Sequence, residues 1–121
     1  MYINYQDNRP VYEQIVDQYR ELILYGIMEP GEQMPSVRSL AAELSINPNT
    51  IQKAFAELEH QGYIYSERGR GSFVRQSESL VESRIGEISD EMRALVTQAM
   101  KLGLDRQAIE KMFEKILNEE M

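Results

Sequence analysis

Three arginines, Arg68, Arg70 and Arg75, fall within eight residues with only Glu67 against them, and Gly69 and Gly71 are interleaved with the first two. Guanidinium groups placed this way can neutralise phosphates or enter a minor groove. The glycines leave no Cβ between the backbone and an approaching sugar–phosphate chain. A second set, Asn47, Asn49, Thr50, Gln52 and Lys53, lies within seven residues. Asn and Gln can pair bidentately with adenine N6 and N7, and Thr can hydrogen-bond a base edge or touch a thymine methyl. Arg38 stands apart from both sets and can reach a phosphate or the O6/N7 pair of guanine. Catalytic material is thin by comparison. There is no Cys and one His, His60, which excludes a thiolate zinc site, a Cys nucleophile and a His-cluster metal site. No nucleophile, base and orienting group stand together, so no enzyme, metal or cofactor is expected.

Periodicity gives the elements that must position these groups. Asn8-Arg9-Pro10 reads as a helix start, with Asn8 or the residue after it capping and Pro10 at the first helical position. Val11, Ile15, Tyr19, Leu22 and Ile23 share one face and Gly26 can stop the helix, which predicts a first helix over residues 10–25. Glu29-Pro30-Gly31 is a turn signal, and Gln33-Met34 is a short extended piece. Ser36 can cap a second helix over 36–44, with Val37, Leu40, Ala41 and Leu44 inward and Arg38 pointing away. Asn47 as cap and Pro48 as first residue open a third helix, with Ile51, Ala54, Phe55 and Leu58 inward and Gly62 as its end. Two short amphipathic helices joined by about three residues have helix-turn-helix spacing, although a plain αα-hairpin has it too. The helix-turn-helix reading puts the start of the third helix in a major groove. Ser36, beside Arg38, joins the candidate contacts, and free N–H groups at the helix starts add phosphate sites.

After Gly62 the period changes. Tyr63-Ile64-Tyr65-Ser66 and Ser72-Phe73-Val74-Arg75 predict a hairpin around Glu67-Arg68-Gly69-Arg70-Gly71, with Tyr63 and Tyr65 packing in the strand. Helix, strand, helix, turn, helix, strand, loop, strand is the order of a winged helix, and the hairpin is its wing. The alternative for the arginines is a solubilising tip. Gln76-Ser77-Glu78-Ser79 reads as a brief linker, which divides the chain into a winged helix-turn-helix over 1–76 and a second segment over 77–121.

In that segment Val81, Ile85, Ile88, Met92, Leu95, Ala99 and Leu102 recur with alternating gaps of 4 and 3, a heptad seam. Gly103 stops the seam, and Asp105 can cap a last helix with Ile109, Met112, Phe113 and Ile116 on one face. Residues 118–121 are expected to fray. Met92, Met100 and Met112 are expected to fill a core. Two such helices cannot bury both apolar faces alone, so the expected partner is a second copy in a symmetric dimer. Such a dimer sets two recognition helices on successive turns of a near-palindromic site. The alternative is a monomer in which the helices fold back on the winged helix. The fold class is mainly α with a small β-hairpin: a winged helix-turn-helix followed by a two-helix dimerisation segment.

Of 121 residues, 42% are apolar and 27% charged, a globular composition. There is no apolar run of about 18 residues to span a membrane. The first residues lack the pattern of a secretory signal. A soluble cytoplasmic protein is expected. The net charge of −7 alone argues against nucleic acid and permits a winged-helix module that binds protein instead. Residues 1–76 hold 7 Lys/Arg and 10 Asp/Glu, and residues 77–121 hold 6 and 10. If the acids lie away from the basic face, non-specific binding is weakened and affinity falls less steeply with salt.

Four ordered blocks now carry a resemblance: Pro35-Ser36-Val37-Arg38-Ser39-Leu40-Ala41; Asn47-Pro48-Asn49-Thr50-Ile51; Leu58-Glu59-His60-Gln61-Gly62-Tyr63-Ile64; and Arg68-Gly69-Arg70-Gly71-Ser72-Phe73-Val74. With the opening Pro10-Val11-Tyr12-Glu13-Gln14-Ile15, they resemble the GntR family of bacterial transcription regulators over roughly residues 9–75. The short tail and the Asn-Pro-Asn-Thr start resemble its YtrA-type subgroup. The resemblance implies a homodimer that binds operator DNA, often as a repressor of transporter operons. It implies that Arg38 is the DNA-contacting arginine of the second helix, that Asn47, Asn49 and Thr50 are contact positions, and that Arg68 and Gly69 form the wing tip. This chain departs from the family at Val37, where many members have Glu, and at Pro48 and Gln52, where they have Arg. Residues 77–121 are also far shorter than the effector domain of longer members, and two helices are not expected to enclose a ligand pocket on their own. The operator sequence, the regulated genes and any small-molecule effector stay open.

Overall fold

Val11, Ile15, Val16 and Tyr19 make one apolar helical face, and in the computed structural model, which describes residues 1–75 and 78–121, that face forms α1, Val11–Leu24. Its N-cap is Pro10, at φ −54° and ψ 146° with no side-chain capping bond, and not Asn8 or Arg9. The residues before Pro10 are committed elsewhere. Asp7 accepts from the Arg9 amide at 2.9 Å, and the Arg9 guanidinium donates to Asp17 at 2.5 Å. Helix α2 is Val37–Leu44, capped by Ser36 Oγ, which accepts from the Ser39 amide at 3.0 Å. Helix α3 is Pro48–His60, where Asn47 Oδ1 accepts from the Asn49 amide at 2.8 Å.

Strands β1, Ile64–Glu67, and β2, Gly71–Val74, pair antiparallel with Ser66 opposite Ser72. The extended piece predicted at Gln33-Met34 lies along the other edge of β2. Gln33 bridges Phe73, and the Met34 amide donates to the Ser72 carbonyl at 2.8 Å.

The core gathers Ile15, Val16 and Tyr19 from α1, Leu40 and Ala41 from α2, and Ile51, Ala54, Phe55 and Leu58 from α3. Ile64 and Val74 close it from the hairpin. Tyr19 and Phe55 meet edge to face at 5.9 Å. Two glutamines with no structural role assigned from the sequence fasten the N-terminal residues. Gln14 exchanges bonds of 2.9 Å with the amide and carbonyl of Asn4, and Gln18 accepts from the Tyr2 amide at 3.2 Å and donates to its carbonyl at 2.5 Å.

Burial, and then the charge of Glu43, push the Tyr19 hydroxyl up to about 12. An unfolded tyrosine ionises near pH 10, so on raising the pH the unfolded chain loses this proton first. The resulting stabilisation is complete below about pH 10 and is lost as the pH climbs towards 12. The urea midpoint is therefore expected to fall across that window more steeply in the wild type than in Tyr19→Phe.

The chain divides into two compact units, Met1–Val81 and Glu82–Met121. Helix α4 is Glu78–Lys101 and helix α5 is Arg106–Glu120. Gln76 and Ser77 of the predicted linker lie outside the described residues, while Glu78 and Ser79 belong to the first turn of α4. Leu102, the last predicted seam residue, falls beyond α4 in the turn with Gly103, whose φ is +97°. Asp105 caps α5 by accepting from the Ala108 amide at 2.9 Å. Residues 118–120, expected to fray, are helical. Glutamates favour helix, and α5 runs to Glu120, with the Met121 amide still donating to the Leu117 carbonyl at 2.9 Å.

Candidate nucleic-acid interface

Neither α2 nor α3 has a carboxylate in its first turn. The acids of α3, Glu57 and Glu59, sit in its C-terminal half, so the N-terminal half presents Asn49, Gln52 and Lys53 without an acidic neighbour on the same helix. Arg38, on α2, is exposed, and among the described residues it makes no ion pair.

Several candidate residues are already engaged. Ser36 Oγ also donates to Ser39 Oγ at 2.8 Å, so its hydroxyl is committed to the cap. Asn47 gives Oδ1 to its own cap. Thr50 is half-buried. Lys53 Nζ lies 4.1 Å from the centre of the Tyr12 ring, a cation–π contact that a phosphate would have to outbid. The expectation of free N–H groups at both helix starts fails for α3. Pro48 has no N–H, the Asn49 amide is bound by Asn47 Oδ1, and the Thr50 amide donates to the Asn47 carbonyl at 2.9 Å.

In the wing the Arg70 amide donates to the Glu67 carbonyl at 3.0 Å, closing a turn with Gly69 at φ +77°. A positive φ at that place is what Gly supplies at little steric cost. Gly71, at φ +108°, is hemmed in, because a Cβ there would meet Gln33 Nε2 at 3.0 Å. The three arginines are not equivalent. Arg70 pairs with Glu67 at 2.9 Å and lies 5.7 Å from the Phe73 ring centre. Arg75 lies 5.4 Å from the ring of Tyr65, which itself stacks on Phe73. Arg68 is exposed and, among the described residues, has neither an ion pair nor a ring contact. Glu67 is the acid that the sequence set against the arginines, and it takes Arg70. Gln33 and Glu59, which reach the wing from outside it, were given no role there, and only the extended piece at Gln33 hinted at one of them.

Along α4 the large seam residues are uncovered. Ile85, Met92 and Leu95 are each more than half exposed, and Val81 and Ile88 are exposed too. Met92, Met100 and Met112 are exposed instead of filling a core, because the two helices of their own unit supply no further layer to cover them. Ala99, Ile109, Met112, Phe113 and Ile116, with Leu95, line an apolar groove of about 360 Å³.

Residues 11–74 match the bacterial regulatory proteins of the gntR family. The chain belongs to the GntR family. It is 38% identical over 116 residues to the HTH-type transcriptional repressor YtrA of Bacillus subtilis, covering 94% of this chain and 89% of that one. A transcriptional regulator from Oenococcus oeni superposes with a TM-score of 0.85 at 32% identity, over 97% of each chain. AraR(DBD), solved in complex with operator ORE1, matches 60% of this chain and 89% of its own with a TM-score of 0.53 and 29% identity. As a GntR protein the chain is a DNA-binding transcription regulator built on a winged helix, and not an enzyme. Among the described residues no helix is long and apolar enough to cross a membrane.

For this GntR protein the inequality of the wing arginines has a measurable consequence. Arg68→Ala is expected to lower the slope of log affinity against log salt by about 1, the signature of one lost phosphate contact. Arg70→Ala should change it less, because Glu67 already offsets that charge. Fluorescence anisotropy at four salt concentrations checks both.

Proposed function

We propose that the protein is a homodimeric repressor that grips a near-palindromic operator with two copies of the winged helix. The reading rests on one observation above others: the acid-free start of α3 and the uncovered Arg38 and Arg68 form a basic, polar set on a chain of net charge −7. In this reading Arg38, Asn49, Thr50 and Gln52 face base edges, and Asn47 joins them through the amide nitrogen that its cap does not use. Arg68, Gly69 and Gly71 face the backbone or the minor groove, and Lys53, Ser36 and Arg70 do so on exchanging Tyr12, Ser39 and Glu67 for the DNA. Residues 1–76 are the DNA-binding domain and 77–121 the dimerisation segment. The second copy covers the α4 seam at Val81, Ile85, Ile88, Met92 and Leu95 and the groove at Ala99, Ile109, Met112, Phe113 and Ile116. The name of the Bacillus subtilis relative supports repression. Likeness to the YtrA-type subgroup supports a transporter operon as the target.

The test is a titration of the purified protein against duplex from upstream of its own gene, beside a scrambled duplex, with mass measured by light scattering. Tight, selective binding at twice the chain mass supports the reading. Equal weak binding to both duplexes, followed by failure to enrich any fragment from genomic DNA, ends it.

A further inference from the structure

Besides the backbone pairing of residues 31–34 with β2 and the core packing of Ile64 and Val74, side chains from outside the hairpin hold the wing. Glu59, the penultimate residue of α3, accepts from the Ser66 amide at 3.1 Å and from the Ser66 hydroxyl at 3.3 Å. Ser66 faces Ser72 across the ladder with their hydroxyls 3.3 Å apart. With Ser66 Oγ donating to Glu59, the Ser72 hydroxyl donates to Ser66, so a chain of hydrogen bonds runs from α3 across both strands. On the far side Gln33 Nε2 donates to the Arg70 carbonyl at 2.9 Å, inside the tip turn.

A two-stranded ribbon is marginal by itself in water, and the piece at residues 31–34 pairs with β2 alone, so the set of β1 and of the tip depends on what else holds them. The Glu59 carboxylate puts an acid on the helix that carries the proposed base-facing residues, and acid near DNA opposes binding. Its two oxygens are instead spent on the wing. We infer that Glu59 is a positioning residue for DNA binding, fixing the wing to α3 so that Arg68 and the start of α3 engage one duplex together. This rests on the operator reading above. The bonds from Glu59 fasten β1 on the side away from β2, while Gln33 steadies the tip itself.

The experiment uses the full chain and the tightest-bound duplex from the titration, with anisotropy read at several salt concentrations for Arg68→Ala, Glu59→Ala, the double variant and Glu59→Gln. Arg68→Ala should weaken binding about tenfold and lower the salt slope by about 1. Glu59→Ala should weaken it about fivefold and lower the slope in the same direction, and the double variant should be no weaker than Arg68→Ala within about twofold. Glu59→Gln keeps an amide oxygen for the Ser66 amide and an N–H for its hydroxyl, so it should bind within about twofold of the wild type. Should Glu59→Ala fail to fold, Ser66→Ala removes one of the two bonds at the surface and is expected to shift the slope the same way. Wild-type binding by Glu59→Ala, or effects that add fully in the double variant, overturns the positioning role while the operator reading stands. An inert Arg68→Ala overturns both the role and the wing contact on which it depends.

Discussion

On the proposed operator reading, Arg38→Ala is expected to lower affinity by about 1–3 kcal/mol and to relax base preference at one position in each half-site. The expectation follows from place and freedom. Arg38 is the second residue of α2, one position past a capped helix start, and its guanidinium is exposed with no ion pair among the described residues. Its planar fork matches the O6 and N7 of guanine, which a phosphate contact does not require. Leu40 and Ala41 hold the inward face of α2, so trimming Arg38 leaves the core untouched and stability within about 0.5 kcal/mol. Binding measured against a panel of single-base operator variants separates the alternatives. A loss confined to one base pair assigns base reading, whereas a uniform loss over the panel assigns Arg38 to a phosphate and ends its role in specificity.

Ile88→Glu is expected to convert the protein to a monomer and weaken operator binding by about 100-fold or more. Ile88 lies mid-seam on α4 and is 38% exposed in the single chain. In a symmetric dimer one substitution inserts two carboxylates into one apolar contact, and each loses hydration there without gaining a partner. The operator penalty is larger than any lost protein–DNA contact, because the second half-site then binds without the effective concentration supplied by linkage. Light scattering should give the single-chain mass, and circular dichroism should retain the winged-helix signal. Ile88→Leu, which keeps volume and apolarity, should remain dimeric. A dimer of unchanged stability in Ile88→Glu would place the interface elsewhere.

Much of the architecture was legible because it is locally encoded. Ser36, Asn47 and Asp105 cap the helices they were expected to cap, since a short polar side chain can satisfy an amide two or three residues on without help from the fold. The hairpin followed from β-formers on either side of Gly69 and Gly71. The inward faces of α2 and α3 followed from apolar spacing. The start of α1 was less legible, because its cap depends on what Asp7 and Arg9 do with each other and with Asp17.

The candidate site divides in the same way. The types and order of its residues, an arginine in α2, amides at the start of α3 and a basic wing, were set by the sequence alone, and so was membership of a DNA-binding class. Which of those groups remain free was decided by the tertiary structure. Arg70 is neutralised by Glu67, Lys53 is drawn onto Tyr12, and Asn47 and Ser36 are spent on caps. Gln33 reaches a carbonyl 37 residues away, and Glu59 crosses from helix to strand. Periodicity and capping act over one or two turns of chain, so residue types reveal them. The charge that a side chain presents to a partner depends on which neighbours packing brings within a few ångströms, and that is settled only once the helices and the hairpin have closed on a common core.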